Sequence, residues 1–174
     1  MTRLPFPRQE LGAALEQGPL RVLRILHLAI PAGVVLFLGV VAFLAVRPPQ
    51  GSSYPGLPLL LTIPSLALAL ATAAAAAVLP GRLLARRLAT ADSPEAAAQG
   101  LQHAAVIRLA LLEAGALFGV VVLLLGALDG SLRSQPLLWL NALPAFALVA
   151  MAALRWPERE RLLDELEAAE RAAR

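Results

Sequence analysis

The sequence predicts an all-α membrane protein, a bundle of four transmembrane helices arranged as two hairpins. Three observations carry that prediction. The 174-residue chain is 59% hydrophobic with a mean hydropathy of +0.72, where a soluble domain holds about 45–50% apolar residues. The excess falls into four blocks divided by polar or Pro/Gly-rich breaks. Each block approaches the roughly 20 apolar residues that cross ~30 Å of hydrocarbon.

The blocks cover residues 25–46, 57–79, 109–128 and 137–154. Trp139 and Trp156 near the ends of block four, and Tyr54 before block two, suit the interfacial belts where amphipathic rings settle. Short connections, RPPQGSSYPG at 47–56 and DGSLRSQ at 129–135, join spans one to two and three to four. The middle connection is longer. Pro80-Gly81 is expected to interrupt span two, with 82–89 continuing as an interfacial helix. Ser93-Pro94-Glu95 reads as an N-cap, a proline at the first helical position and an early acid, so the helix of span three begins before its apolar stretch. The chain thus divides into an N-terminal segment (1–20), a membrane domain (21–156, with spans three and four drawn at 105–128 and 137–156 when their flanks are included) and a C-terminal helix (157–174).

Orientation follows from arginine placement. The N-terminal segment, the connection between spans two and three, and the tail lie on one side and together hold thirteen of the fifteen basic residues, all arginine. Only Arg47 and Arg133 fall on the other side. The positive-inside rule places the first side, with both termini, in the cytoplasm, and the protein in a bacterial cytoplasmic membrane. Block one exceeds the ~7–15 residues of a signal-peptide core and lacks a convincing small-residue cleavage site, so it reads as a retained span.

Composition also excludes. There is no cysteine, which removes disulfides, thiolate metal sites and thiol nucleophiles. The two histidines, His27 and His103, sit toward one end of spans one and three and suggest no metal or haem, so no cofactor is expected. A pI of 10.9 invites a nucleic-acid reading, but the arginines flank apolar blocks instead of forming one basic face. No P-loop, G-x-S-x-G or H-E-x-x-H occurs, and no enzymatic activity is expected.

Span three carries the features closest to chemistry. Glu113 lies four residues inside it, about 6 Å at ~1.5 Å per residue. A carboxyl group at that depth is costly, and marks a proton or cation site, a polar pin between helices, or a side chain that reaches back to the nearby cytoplasmic interface. At ~100° per residue, Arg108 lies about 140° around the helix from Glu113, so a simple intrahelical pair is not expected. Gly115, Gly119 and Gly126 fall within about 40° of one another and nearly opposite Glu113, a face open to close helix approach. Thr72 lies at a comparable depth on span two and is a candidate partner for Glu113; Arg24, Arg82 and Arg155 are others, reaching in from the interface. Pro31, Pro64 and Pro144 fall inside spans and read as kinks, and Asn141 as an interhelical hydrogen-bonding group. In the tail, Leu162, Leu166, Ala169 and Ala173 line one side and Glu167–Arg171 form a favourable i,i+4 pair. A solvated extension of span four is the first expectation, a partner-binding helix the second.

The run Arg108-Leu-Ala-Leu-Leu-Glu113-Ala-Gly-Ala-Leu-Phe-Gly119 resembles the third span of a family of small uncharacterised bacterial four-span membrane proteins, and Arg155-Trp-Pro157-Glu-Arg159 is similar to their basic-Pro tail. That resemblance implies the fold and no activity. The stretch from Glu113 to Gly119 is also similar to the proton-binding helix of rotary ATPase proteolipids, although spans one and two lack the matching glycine stripe. The expected function is a non-enzymatic membrane protein, an accessory or structural subunit of a larger complex or a small stand-alone bundle. Its partners would be the lipid bilayer and other membrane subunits, met through span three or the C-terminal helix. The alternative is a small transporter or channel subunit using Glu113.

Overall fold

The computed structural model describes residues 6–48 and 56–173. Its helices are α1 (Arg8–Glu16), α2 (Pro19–Ala45), α3 (Leu57–Ala89), α4 (Pro94–Asp129), the one-turn α5 (Ser131–Ser134), a 3₁₀ segment (Pro136–Ala142), α6 (Leu143–Leu154) and α7 (Arg159–Ala173). No strand occurs among the described residues. Four stretches are long and apolar enough to cross a membrane: α2, α3, α4, and the 3₁₀ segment with α6 as one unit. The protein is therefore a multi-pass α-helical membrane protein. Tyr54 and most of the loop joining spans one and two lie outside the described residues.

Helix α4 is the centre of the bundle. In its most apolar stretch 44% of residues are buried, against 17% in α2 and in α3. It packs against α2, α3, the 3₁₀ segment and α6. Spans one and two are a hairpin in connectivity, but their arms rest on α4 and barely touch each other. Three glycines set how closely the neighbours of α4 approach. A Cβ on Gly115 would sit 2.7 Å from Thr72 Oγ1 and 3.0 Å from Ala69 Cα of α3. One on Gly119 would run into the backbone carbonyl oxygen of Asn141, and one on Gly126 would meet Leu138 at 3.1 Å. The G-x-x-x-G pair thus serves packing within the chain. Val34 and Val41 of α2, Val120 and Leu123 of α4, and Ala145 and Leu148 of α6 fill the remaining membrane core.

The ends of α4 match its sequence. Ser93 Oγ accepts from the Ala96 N–H at 3.2 Å, with Pro94 at the first turn. Gly130 closes the helix with φ +80°, a left-handed conformation that costs glycine nothing. Two expectations are corrected. Helix α3 runs unbroken through Pro80-Gly81, because a proline removes one internal hydrogen bond but leaves φ helical. Span four opens as a 3₁₀ segment, which places Pro144 in the first turn of α6 and not at an internal kink.

A second core lies at one end of the spans. Leu11 and Leu15 of α1, Leu84 and Leu88 of α3, Leu101 of α4, and Leu162, Leu163 and Leu166 of α7 are all buried there. So α1, the α3–α4 junction and α7 share one end of the bundle. Helix α7 is not a solvated extension of span four: the helix stops at Leu154, and the tail folds back against α1 and α3. Glu167 does not spend its carboxylate on Arg171. It pairs with Arg8 at 3.0 Å, and Arg8 also meets Asp164 at 2.7 Å and Glu160 at 3.3 Å.

At the opposite end Arg133 donates to the carbonyls of Ala45 (2.6 Å) and Arg47 (2.8 Å), capping the orphan acceptors that end α2. Arg47 lies over the Phe43 ring at 4.4 Å.

Packing of this kind is directional in its response to substitution. Gly119→Ala should lower thermal stability in detergent by the equivalent of about 1–3 kcal/mol, because the methyl group meets backbone. Gly39→Ala, with nothing within 4 Å, should be neutral or stabilising by up to ~1 kcal/mol. Leu163→Ala, at a fully buried position, should cost about 2–5 kcal/mol and release α7 to protease.

Candidate functional site

Three polar features lie within or beside the spans, and α4 relates them. The first is buried between α3 and span four. Asn141 Nδ2 donates to Thr62 Oγ1 at 3.0 Å and to the Leu138 carbonyl at 2.9 Å. Thr62 in turn donates to the Pro58 carbonyl at 3.0 Å. This is the interhelical role expected of Asn141. Asn141 Oδ1 and Ser65 Oγ are buried without a hydrogen-bond partner.

The second is Glu113. It is half-buried on α4 and makes no hydrogen bond or ion pair with any described residue. None of its expected partners turns to it. Thr72 Oγ1 donates to the Ala69 carbonyl at 3.1 Å and lies against Gly115, on the far side of α4. Arg24 donates to the Pro157 carbonyl at 3.4 Å. Arg108 and Arg155 face α7, and Arg82 makes no ion pair among the described residues. Helical geometry explains this: the residues that turn toward α3 and α6 stand well over 100° around α4 from Glu113.

The third is a cleft at the end of the spans that carries α7. Arg108 Nη1 donates to Glu165 Oε1 at 3.3 Å, and Arg155 reaches the same oxygen at 4.0 Å. Arg161 donates to the carbonyl of Leu154, which ends α6. These residues, with Gly81 and Leu84 of α3, line an open cavity of about 610 Å³. A narrower recess on the other side of Arg108 continues to His27, whose Nδ1 is 2.9 Å from the Leu23 carbonyl. His103 is exposed.

Sequence reasoning singled out Arg108 but missed Glu165 and Arg161. The available signal was the four-residue spacing of Arg161 and Glu165 beside an apolar stripe that required a surface to cover it. Pro157 supplies the break that lets the tail turn back onto that surface.

Electrostatically the cleft is unbalanced. Two guanidinium groups share the carboxylate of Glu165, while Asp164 at the rim is engaged by Arg8. The Arg8 guanidinium is in turn held more firmly protonated, chiefly by its hydrogen bond to Asp164. Among the described residues no group of three or more His, Asp and Glu side chains is placed to hold a metal ion.

The pair Arg108–Glu165 is only 21% and 27% exposed on its two side chains, so its coupling should exceed that of a free surface pair. A double-mutant cycle with Arg108→Gln and Glu165→Gln, read by thermal unfolding, should return roughly 0.5–1 kcal/mol. No family model, curated protein or solved structure matches the chain.

Proposed function

We propose that the chain is a non-enzymatic protein of a bacterial cytoplasmic membrane, working as an accessory or structural subunit of a larger membrane assembly. The observation that supports this reading is Glu113. It is the one acidic side chain within the apolar stretches of the spans, and it has no hydrogen bond or ion pair with any described residue. A carboxyl group in hydrocarbon is expensive unless a donor meets it. A polar group from a neighbouring subunit would supply that donor, on the flank of α4 that the glycine face does not occupy.

The alternative function is a proton or cation site at Glu113 in a small transporter or channel subunit. What favours it is the same unpaired carboxyl group; what weighs against it is that no second acid stands in the apolar stretches of the spans to relay a charge. Both readings place the α1 and α7 end in the cytoplasm on the arginine distribution.

Mild-detergent extraction followed by native mass measurement separates the readings. The subunit reading expects an assembly larger than one chain. Glu113→Leu should weaken that assembly at least tenfold, about 1.4 kcal/mol, and Glu113→Gln should largely preserve it. An ion site predicts the reverse sensitivity, with loss of activity in Glu113→Gln and retention in Glu113→Asp. A lone monomer in several mild detergents would remove the subunit reading. Because the chain has no cysteine, single cysteines at Glu10 and Glu170 report topology directly: both should resist an impermeant maleimide in intact cells, and a cysteine at Ser134 should label.

A further inference from the structure

We infer that the crevice between α3 and α6, floored by α4, is a binding site for one anionic phospholipid, its phosphate held by Arg108, Arg155 and Arg161. Two independent cavities carry this inference. The first is the cleft of about 610 Å³ at the α7 end, where three guanidinium groups meet and the carboxylate of Glu165 is shared between two of them. The second is an apolar groove of about 200 Å³ within the spans, lined by Ala69, Ala73, Gly115, Pro144 and Ala147 among others.

Helices α3 and α4 border both cavities; α6 completes the groove, while α7 and Arg155, one residue past the end of α6, complete the cleft. Ala73 and Gly81 on α3 are eight residues apart, as are Ala147 on α6 and Arg155 just past its end, so the groove lies about 12 Å deeper in the membrane than the cleft at ~1.5 Å per residue. A phospholipid has this division: a charged headgroup at the interface and an acyl chain running inward from it. The fold leaves the space open because α3 and α6 each pack on α4 and scarcely meet each other below the 3₁₀ segment. Ala69, Ala73, Gly115 and Ala147 form the small-residue part of the wall, and Leu66, Leu112 and Leu143 flank it, so the groove is apolar.

Charge decides the class of lipid. Arginine presents a planar fork of donors that fits phosphate oxygens. Arg161 is held in place by the Leu154 carbonyl at the end of α6, and that bond occupies only part of its donor capacity. Three arginines stand against Glu165 and Asp164 in the cleft, and Arg8 engages Asp164 from outside it, so the remaining positive charge favours a headgroup with net negative charge over a zwitterionic one. Glu113 is absent from the residues that line either cavity, so this site stands apart from the proposed subunit contact.

The test uses the whole chain in neutral detergent, titrated with phosphatidylglycerol, phosphatidylcholine or inorganic phosphate and read by native mass spectrometry and thermal unfolding. The expected result is one tightly retained phosphatidylglycerol per chain with a raised unfolding temperature, and little retention of phosphatidylcholine. Arg155→Gln and Arg161→Gln should each reduce retention at least fivefold, and Arg155→Lys should recover most of it. Ala147→Leu, which fills the groove without touching the arginines, should also reduce retention while leaving lipid-free stability unchanged. Equal retention of phosphatidylcholine would overturn the proposal, as would unaltered retention in both the Arg155→Gln and Ala147→Leu proteins. Full reproduction of the thermal shift by inorganic phosphate would also overturn it, reducing the site to one for small anions.

Discussion

The membrane half of this protein depends on how closely α4 lets other helices approach. Lipid tails are as apolar as leucine, so burying side chains against another helix gains little from the hydrophobic effect; contact area and backbone proximity must do it instead. Gly115 faces α3, Gly119 faces the carbonyl of Asn141, and Gly126 faces Leu138. One helix thus offers a smooth station to α3 and two to the 3₁₀ segment that opens span four. The α2 side is served differently, by interlocking valines and leucines. That asymmetry explains why span one and span two, neighbours in sequence, are parted in space.

The other half of the fold obeys the rules of water. Helices α1 and α7 close over the ends of α3 and α4 with a leucine core of the kind found in soluble helical domains, and their rims carry the charges. Arg8 gathers three carboxylates of α7, and Arg159 reaches Glu16 of α1 at 3.2 Å. Exposed pairs of this kind add little to stability individually. Their work is registry: they fix the rotation of α7, and that rotation aims Glu165 and Arg161 at Arg108 and the foot of α6. A cap built by hydrophobic packing therefore defines the polar cleft at the edge of the membrane.

Much of the membrane domain was legible in the sequence. Hydrocarbon thickness imposes span length, so four apolar blocks translate into four crossings, and Ser93-Pro94 marks the start of α4 because only certain side chains satisfy a helix N-terminus. Asn141 was readable for the same reason: a buried amide must find a partner. The docking of α1 and α7 was not readable. Leu11 and Leu15 span barely one turn of a short helix, and the tail's stripe is compatible with any apolar surface. Pro80-Gly81 and Pro144 misled in opposite ways. Proline forbids a donor, not a helical backbone angle, so context decides whether it ends a helix, begins one or sits within one. Partners for Glu113 were sought by depth alone. Depth without azimuth led to Thr72, which stands on the wrong side of α4.

Azimuth also separates the two features that are open to the outside. The groove lies where α3 and α6 both pack on α4 beside Gly115, and the arginines of the cleft stand toward the interface from its apolar lining. Glu113 looks out from another flank, midway between the α2-facing core and the lipid. A mobile ion path would need polar groups on several helices at successive depths, and the apolar stretches of the spans provide one acid, Glu113, with no neighbour of its kind. A contact between subunits needs only one such group on each side. On the subunit reading, the scarcity of polar residues in the apolar stretches therefore fits Glu113 to recognition and not to conduction.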